Sequence, residues 1–298
     1  MTTTQCILPL PTGFRVAELL KFHQRDPSEF SERVEADTLT KGMVWQGQPA
    51  CLRVDFQVQE SVVKISLENE LTTTNVETLA EHASRMLGLN QPVEEFEAQH
   101  RQHPQLGPLL ARQSGLRVPL TATPFEALTW AITGQQISVG AAVAMRRKLI
   151  KAAGVVHSSG LACYPDAEHL AALSEADFRA AGFSASKAQT LRTVSAKVLS
   201  GELPLDDWQE HLPIDEIRER LLAIRGIGPW TVNYALLRGF GWLDGSLHGD
   251  AAIRRSLQTL LNSPDKISEA AAQRWLADFS PWRALLAAHL WASLSLAA

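Results

Sequence analysis

Apolar and polar side chains alternate from Leu52 to Val58, and a β-branched run follows at Val62-Val63-Lys64-Ile65-Ser66-Leu67. The stretch from Ser31 to Leu67 is therefore expected to form a small antiparallel sheet. The period then changes. Thr72-Thr73-Thr74-Asn75 supplies capping side chains ahead of Val76, Leu79, Ala83, Met86 and Leu87, which are spaced to share one helical face that Gly88 closes. Phe14 to Phe22 also reads as a core-facing helix. From about Pro92 the apolar faces recur at helical spacing and β-branched runs disappear, so the remainder is expected to be all-helical. Thr123 as N-cap and Pro124 at the first helical position lead into Phe125 to Ile132. Further helices are expected at Val139 to Lys151, Ser186 to Leu199, Asp215 to Leu222, Pro229 to Arg238, Ala251 to Leu261 and Pro281 to Leu294. The expected organisation is an N-terminal α+β domain over residues 1–90 and a helical region over 91–298, with room for two subdomains around a cleft.

Composition narrows the class. The chain has 298 residues, 45% hydrophobic and 20% charged, enough to bury a sizeable core and unlike a disordered tail. A net charge of −4 argues against a wholly basic nucleic-acid coat. The imbalance is uneven: residues 1–115 carry 10 basic against 15 acidic side chains, and residues 116–298 carry 18 against 17. A polyanion surface is thus expected on the second part. No run is long and apolar enough for a membrane helix, and Met1 to Gly13 lacks the start of a signal peptide, which points to an intracellular chain. Cys6, Cys51 and Cys163 are too few and too scattered for a disulfide framework or a four-thiolate cluster, and are expected to be buried thiols.

The stretch Leu221-Leu222-Ala223-Ile224-Arg225-Gly226-Ile227-Gly228-Pro229-Trp230-Thr231 ends one helix, turns through two glycines and starts another helix on proline. Such a turn aims backbone amides and the positive end of a helix dipole at one point, where a phosphate can sit without a lysine. For the glycines alone, an ordinary tight helix–helix turn with glycine as C-cap is the better account. Ser246-Leu247-His248-Gly249-Asp250 follows, directly before Ala251-Ala252-Ile253. Asp250 is most simply a helix N-cap. A carboxylate there can also stabilise a sugar cation as an N-glycosidic bond breaks and orient the attacking water.

With Phe125-Glu126-Ala127-Leu128-Thr129-Trp130-Ala131-Ile132-Thr133-Gly134-Gln135-Gln136-Ile137-Ser138, and with Pro281-Trp282-Arg283 through His289-Leu290-Trp291, these motifs stand in the order of a known family. The chain resembles the helix-hairpin-helix superfamily of DNA glycosylases, and within it the AlkA type, 3-methyladenine-DNA glycosylase II. The resemblance implies an α+β N-terminal layer, a small antiparallel sheet with helices, ahead of a mainly α helix-hairpin-helix body. It assigns Asp250 as the catalytic aspartate. It places Trp230, Tyr234, Trp291 and Phe22 on the wall that receives the extruded base, where aromatic faces attract a cationic alkylated purine. Trp230 stands where bifunctional relatives carry the lysine that attacks the sugar, which implies a monofunctional enzyme leaving an abasic site. DNA contacts are implied for Gln135, Gln136, Gly226, Ile227, Gly228 and Thr231, with Gln136 at the position of the wedge that fills the vacated stack.

The same resemblance implies no required cofactor, but allows a structural monovalent or divalent cation on the hairpin carbonyls of Leu222, Ile224 and Ile227. Arg146-Arg147-Lys148, Lys151, Lys187 and Arg254-Arg255 are candidate phosphate contacts, and His248 either tunes Asp250 or caps a loop. The expected activity is release of 3-methyladenine or 7-methylguanine type bases in base excision repair, on double-stranded DNA containing damaged bases. The protein is expected to be a monomer with no membrane association, in the bacterial cytoplasm at the nucleoid. Rival readings are a glycosylase for deaminated or oxidised bases, such as hypoxanthine or 8-oxoguanine, a noncatalytic DNA-damage-binding module, and a hairpin that mediates protein association only.

Overall fold

A computed structural model describes residues 2–59, 62–69 and 75–294. Thr72 to Thr74, expected to assist a helix cap, lie outside the described residues. Five strands, β1 (Thr2–Pro9), β2 (Glu32–Glu35), β3 (Thr38–Trp45), β4 (Gln48–Gln59) and β5 (Val62–Asn69), form one antiparallel sheet in the order β1-β5-β4-β3-β2. The alternation at Leu52 is realised: Leu52, Val54 and Phe56 are buried, and Arg53 between them is exposed. Strand β1 was not foreseen, because Thr2-Thr3-Thr4-Gln5 has no apolar alternation. It pairs along its length with β5, from Thr2 opposite Asn69 to Pro9 opposite Val62. Between β3 and β4, Gln46 and Gly47 both adopt positive φ, 48° and 77°, the mirror-image turn that matches the twist of a hairpin.

Two helices, α1 (Val16–His23) and α2 (Val76–Met86), close one apolar face of the sheet, where Leu19, Leu20, Leu79, Ala83 and Met86 meet Leu39, Leu52, Val54, Ile65 and Leu67. The Asn75 side chain caps α2 by accepting the Glu77 N–H at 2.8 Å. Val76, expected on the buried face, is 50% exposed because it occupies the first helical turn, beyond the edge of the packed stripe.

The body consists of α3 (Val93–His100), α4 (Leu106–Arg112), α5 (Pro124–Gly134), α6 (Val139–Ala153), α7 (Ala167–Ala171), α8 (Glu175–Ala180), α9 (Ala185–Leu199), α10 (Asp207–His211), α11 (Ile214–Leu222), α12 (Pro229–Phe240), α13 (Ala251–Leu260), α14 (Glu269–Ala277) and α15 (Arg283–Leu294). Two apolar cores organise them. One gathers α6 to α11, with Leu149, Phe178, Leu191 and Leu221 among its buried residues. The other gathers α3, α4 and α13 to α15, with Phe96, Leu109, Ile253 and Leu286. Helices α5 and α12 contribute to both: Leu128 and Val232 face the first, Ala131 and Leu237 the second. The cleft that matters lies along this shared pair.

The body is not wholly helical, contrary to expectation. Val156 bridges Ala162, and Tyr164 bridges Met43, its N–H donating to the Gly42 carbonyl at 3.1 Å, so the segment grips the part of β3 that β2 leaves uncovered. A buried ion network lies at the same seam. The Lys41 ammonium is held by Glu32 at 2.6 Å and Glu126 at 2.8 Å, and Arg146 donates to Glu126 at 2.7 Å and to Ser31 Oγ at 3.1 Å. Burial works to raise both carboxyls. Lys41 and Arg146 outweigh it, holding Glu32 well below and Glu126 below the usual carboxylate range. Arg146 was a candidate phosphate contact. It is a buried structural cation, because helix α6 turns that side chain inward to two carboxylates.

Candidate active site

A cavity of about 500 Å³ opens between the two helical cores and the N-terminal layer. Helix α5 contributes Trp130 and Gly134, α12 contributes Trp230, Tyr234 and Arg238, α13 begins at its wall with Asp250, and α15 adds Ala288 and Trp291. Phe22 and Arg25 reach it from α1 and the turn after it. Four of the sequence-derived residues, Trp230, Tyr234, Asp250 and Trp291, thus converge from three helices, and Phe22 joins them. Trp230 and Tyr234 stack with ring centroids 5.2 Å apart and planes inclined by 29°, and Trp291 tilts against Tyr234 at 6.1 Å.

Asp250 does both things its sequence context allowed. It is the N-cap of α13, with Oδ1 accepting the N–H groups of Ala252 at 2.8 Å and Ile253 at 3.0 Å. The indoles close on the same carboxylate. Trp230 Nε1 donates to Oδ2 at 3.2 Å and Trp291 Nε1 lies 3.4 Å from Oδ1. The cap fixes the side chain against the helix start while the second oxygen faces the aromatic wall. The His248 ring pairs elsewhere: its Nδ1 pairs with Ser246 Oγ at 2.9 Å and its Nε2 lies 3.8 Å from Glu269.

Trp130, Arg25 and Arg238 are among the cavity residues that the sequence does not single out. Arg238 carried a readable signal, since Trp230, Tyr234 and Arg238 recur every four positions and so share one face of α12. Arg25 carried none. Their guanidiniums lie on the aromatic wall: Arg25 Cζ is 3.8 Å from the Phe22 centroid and 5.4 Å from that of Trp130, and Arg238 Cζ is 4.5 Å from Phe22 and 5.6 Å from Trp291. Phe22 therefore already carries the protein's own cations on its ring.

At the hairpin, α11 ends at Leu222, Ile227 N–H donates to the Ile224 carbonyl at 3.0 Å, and Gly228 starts α12 with no capping side chain. The first-turn amides of α12 therefore have no side-chain acceptor, the condition for an anion site. Gly226 needs its missing side chain: φ is +95°, and a Cβ would stand 2.3 Å from Thr190 Oγ1, which itself donates to the Arg225 carbonyl at 3.0 Å. The Ile227 side chain is buried, 6% exposed.

Gln135 and Thr231 serve the hairpin from inside. Gln135 Nε2 donates to the Gly226 carbonyl at 2.9 Å and to Thr231 Oγ1 at 2.8 Å, and Thr231 is only 2% exposed. Their side chains strap the end of α5 to the hairpin. Gln136 does project: it is exposed, at a φ of 58° that non-glycine residues rarely adopt, beside half-exposed Ile137. Lys187, expected at a phosphate, donates instead to the carbonyls of Thr133 and Gln135, each at 2.8 Å, capping α5, and burial pushes its ammonium down. Arg147 pairs with Asp26 at 3.2 Å, and Arg254 donates to the Gly249 carbonyl at 2.7 Å. Lys148, Lys151 and Arg255 remain exposed.

The helix-hairpin-helix thus lies next to an aromatic cavity with the Asp250 carboxylate on its wall. The chain belongs to the HhH-GPD superfamily of base excision DNA repair proteins, whose family model matches residues 129–281, and the AlkA N-terminal domain model matches residues 7–123. A DNA-3-methyladenine glycosylase of Bacillus subtilis is 22% identical over 96% of this chain and 95% of its own. DNA-3-methyladenine glycosylase 2 of Escherichia coli is 31% identical over 62% of this chain and 63% of its own. The fold matches 3-methyladenine DNA-glycosylase from Archaeoglobus fulgidus with a TM-score of 0.80 at 22% identity, covering 96% of this chain and 97% of that one. It also matches an 8-oxoguanine glycosylase/lyase of Clostridium acetobutylicum with a TM-score of 0.69 at 18% identity, over 88% of this chain and 86% of that one. The chemistry of this AlkA-type chain is that of a DNA glycosylase, a hydrolase of N-glycosyl bonds. No helix among the described residues is long and apolar enough to cross a membrane.

Proposed function

We propose that this protein extrudes alkylated purines of the 3-methyladenine and 7-methylguanine type from duplex DNA and hydrolyses their N-glycosidic bonds with Asp250, leaving an abasic site. One observation carries the reading: Asp250, fixed by two backbone amides, turns its other oxygen to the rings of an open cavity whose volume suits a small-molecule ligand. The carboxylate stabilises positive charge developing on the sugar and orients the water that attacks the anomeric carbon. Stacking on Trp230, Tyr234 and Trp291 holds the planar base while that bond lengthens. The open amides at the start of α12 receive a backbone phosphate, and Gln136 with Ile137 enters the vacated stack.

The carbonyls of Leu222, Ile224 and Ile227 at the end of α11 are oxygen donors of the kind a hard cation takes, and no side-chain cluster of metal ligands occurs among the described residues. Such a cation would add positive charge beside the phosphate and leave the chemistry at Asp250 to the protein. Trp230 in place of a lysine supports hydrolysis without strand cleavage.

The test is Asp250→Asn. We expect duplex affinity to persist and base release from methylated DNA to fall by about 10²–10³. Unchanged release overturns the assignment. Preferential release of 8-oxoguanine over 3-methyladenine overturns the substrate class, and a borohydride-trapped covalent complex overturns the monofunctional chemistry.

A further inference from the structure

A second cavity, of about 640 Å³, opens at the end of α12 away from the hairpin, where Phe240 and Gly241 meet α2, the loop after it and the start of α10. The twelve residues of α12 separate it from the hairpin amides by about 18 Å, and it shares no lining residue with the base cavity. Its charge is lopsided. Glu81, Asp206 and Glu210 line it, and among the described residues none of the three is in an ion pair. Asp206 holds the N-cap position of α10 without making a side-chain cap bond. Arg85 is the one cation on this wall among the described residues. It stands four positions after Glu81, the spacing that favours an ion pair along a helix, yet it donates to the carbonyls of Gly239 at 3.1 Å and Ala122 at 2.7 Å. The C-termini of α2 and α12 both lie beside the cavity and add the negative ends of their dipoles, against a single opposing N-terminus on the five-residue α10.

The same wall keeps unused donors. Trp45, 7% exposed, and His82 both line the cavity, with ring centroids 4.9 Å apart. Neither Trp45 Nε1 nor His82 Nε2 has an acceptor among the described residues. His82 Nδ1 accepts an N–H from Arg85 at 3.4 Å, so the neutral ring carries its proton on the unpaired nitrogen. We propose that this cavity docks a basic segment of a partner protein, taking an arginine or lysine side chain against Glu81, Asp206 and Glu210 and a backbone carbonyl of the same segment at Trp45 or His82. Uncompensated carboxylates in a cleft select a cation. Pro92, Leu120 and Phe240 supply apolar surface for its hydrocarbon stem. The unused N–H groups select a ligand that also carries carbonyls, as a peptide does and a metal ion or simple amine does not, and no cluster of metal-ligating side chains occurs among the described residues. The site stands apart from the glycosylase reading, because its residues take no part in the chemistry at Asp250.

The whole protein, labelled at its indole N–H groups, is titrated with the capped tripeptide acetyl-Gly-Arg-Gly-amide, and the Trp45 resonance is assigned from Trp45→Phe. Two comparison ligands are the same peptide with neutral citrulline in place of arginine, and agmatine, a guanidinium without a carbonyl. The arginine peptide is expected to shift the Trp45 signal, less so as salt rises, and each comparison ligand to bind at least about tenfold more weakly. The double variant Glu81→Gln/Glu210→Gln, which alters exposed side chains only, should bind the arginine peptide about tenfold more weakly, with its rate of base release unchanged. Asp206→Asn should weaken the peptide in the same direction. A Trp45 signal that stays still overturns the proposal, as does a citrulline peptide that binds equally or an affinity unchanged in both carboxylate variants. Shifts confined to Trp230 and Trp291 would place the peptide in the base cavity and overturn it too. Agmatine binding as tightly as the peptide overturns the protein partner in favour of a free amine.

Discussion

Trp230 Nε1 donates to Asp250 Oδ2 at 3.2 Å, so the indole that faces the cavity also holds the carboxylate beneath it. Trp230→Phe keeps an aromatic face and deletes that donor. A hydrogen bond to a charged group is worth about 1.5–3 kcal/mol, so the release rate is expected to drop by at least about tenfold while duplex affinity changes little. Single-turnover rates with saturating enzyme check it. Equal loss of affinity and rate would instead identify Trp230 as a binding surface only.

Capping and chemistry at Asp250 are separable by substitution. Asparagine is as good an N-cap as aspartate, whereas alanine loses the bonds to Ala252 and Ile253 and costs about 1 kcal/mol. Asp250→Asn and Asp250→Ala are therefore expected to be equally inactive, but only the alanine variant should have a lowered urea midpoint. Equal midpoints would mean that the cap contributes nothing to the fold.

The contrast between these two roles reflects what could be read from the sequence. Local signals were legible: Asp250 before Ala251, Thr123 before Pro124, and the glycines of the hairpin all lie within a few residues of what they control. The aromatic partners needed the resemblance to a family, since Trp230 and Trp291 are 61 positions apart and no periodicity joins them. Lys41 and Glu126 were illegible for the same reason. A lysine in a strand is ordinarily solvated, and nothing near it in sequence announces that Glu126 and Glu32 will bury it. The candidate phosphate residues failed most often, because Arg146 and Lys187 lie in helices whose charged positions happen to face protein carboxylates and carbonyls.

Removing one member of that buried network should be costly. Glu126→Ala leaves Lys41 and Arg146 with Glu32 as their remaining carboxylate, and stranding a buried charge costs roughly 3–5 kcal/mol. A urea midpoint lowered accordingly is expected, with any residual activity per folded molecule intact. A change below about 1 kcal/mol would mean that water reaches the network and screens it.

Acid sensitivity should begin with histidines. Burial, aided by Arg85 at His82 and by Arg15 at His289, pushes both imidazoles down to about 3, and His289 Nδ1 donates to Gln113 Oε1 at 2.8 Å. In the unfolded chain they titrate near about 6.5, so between those limits the unfolded state binds more protons. Stability therefore falls as pH drops below about 6.5, by up to about 1.4 kcal/mol per pH unit per histidine. The depressed Glu32 and Glu126 act in a lower window, their contribution being lost only below the usual carboxylate range. Urea unfolding at three pH values between 7.5 and 5 measures the slope, which His289→Gln should make shallower. An identical slope in that variant excludes the buried neutral imidazole as its source.

The two hairpin glycines should respond differently to alanine. Gly226 sits at a φ of +95° with Thr190 Oγ1 in the place of a Cβ, so Gly226→Ala must displace Thr190 and the Arg225 carbonyl it holds. Gly228 has φ −108° and open space where a Cβ would go, so Gly228→Ala fits the folded protein without strain. That open space lies at the start of α12, where the proposed phosphate approaches the amides. Gly226→Ala is thus expected to lower both the urea midpoint and duplex affinity. Gly228→Ala is expected to leave the midpoint within about 0.5 kcal/mol and to weaken affinity through the added methyl group. Because a backbone amide releases no counterion of its own, the salt dependence of the remaining affinity should keep its slope in Gly228→Ala. Wild-type affinity in that variant would move the phosphate contact away from the hairpin and onto the exposed cations of α6 and α13, Lys148, Lys151 and Arg255.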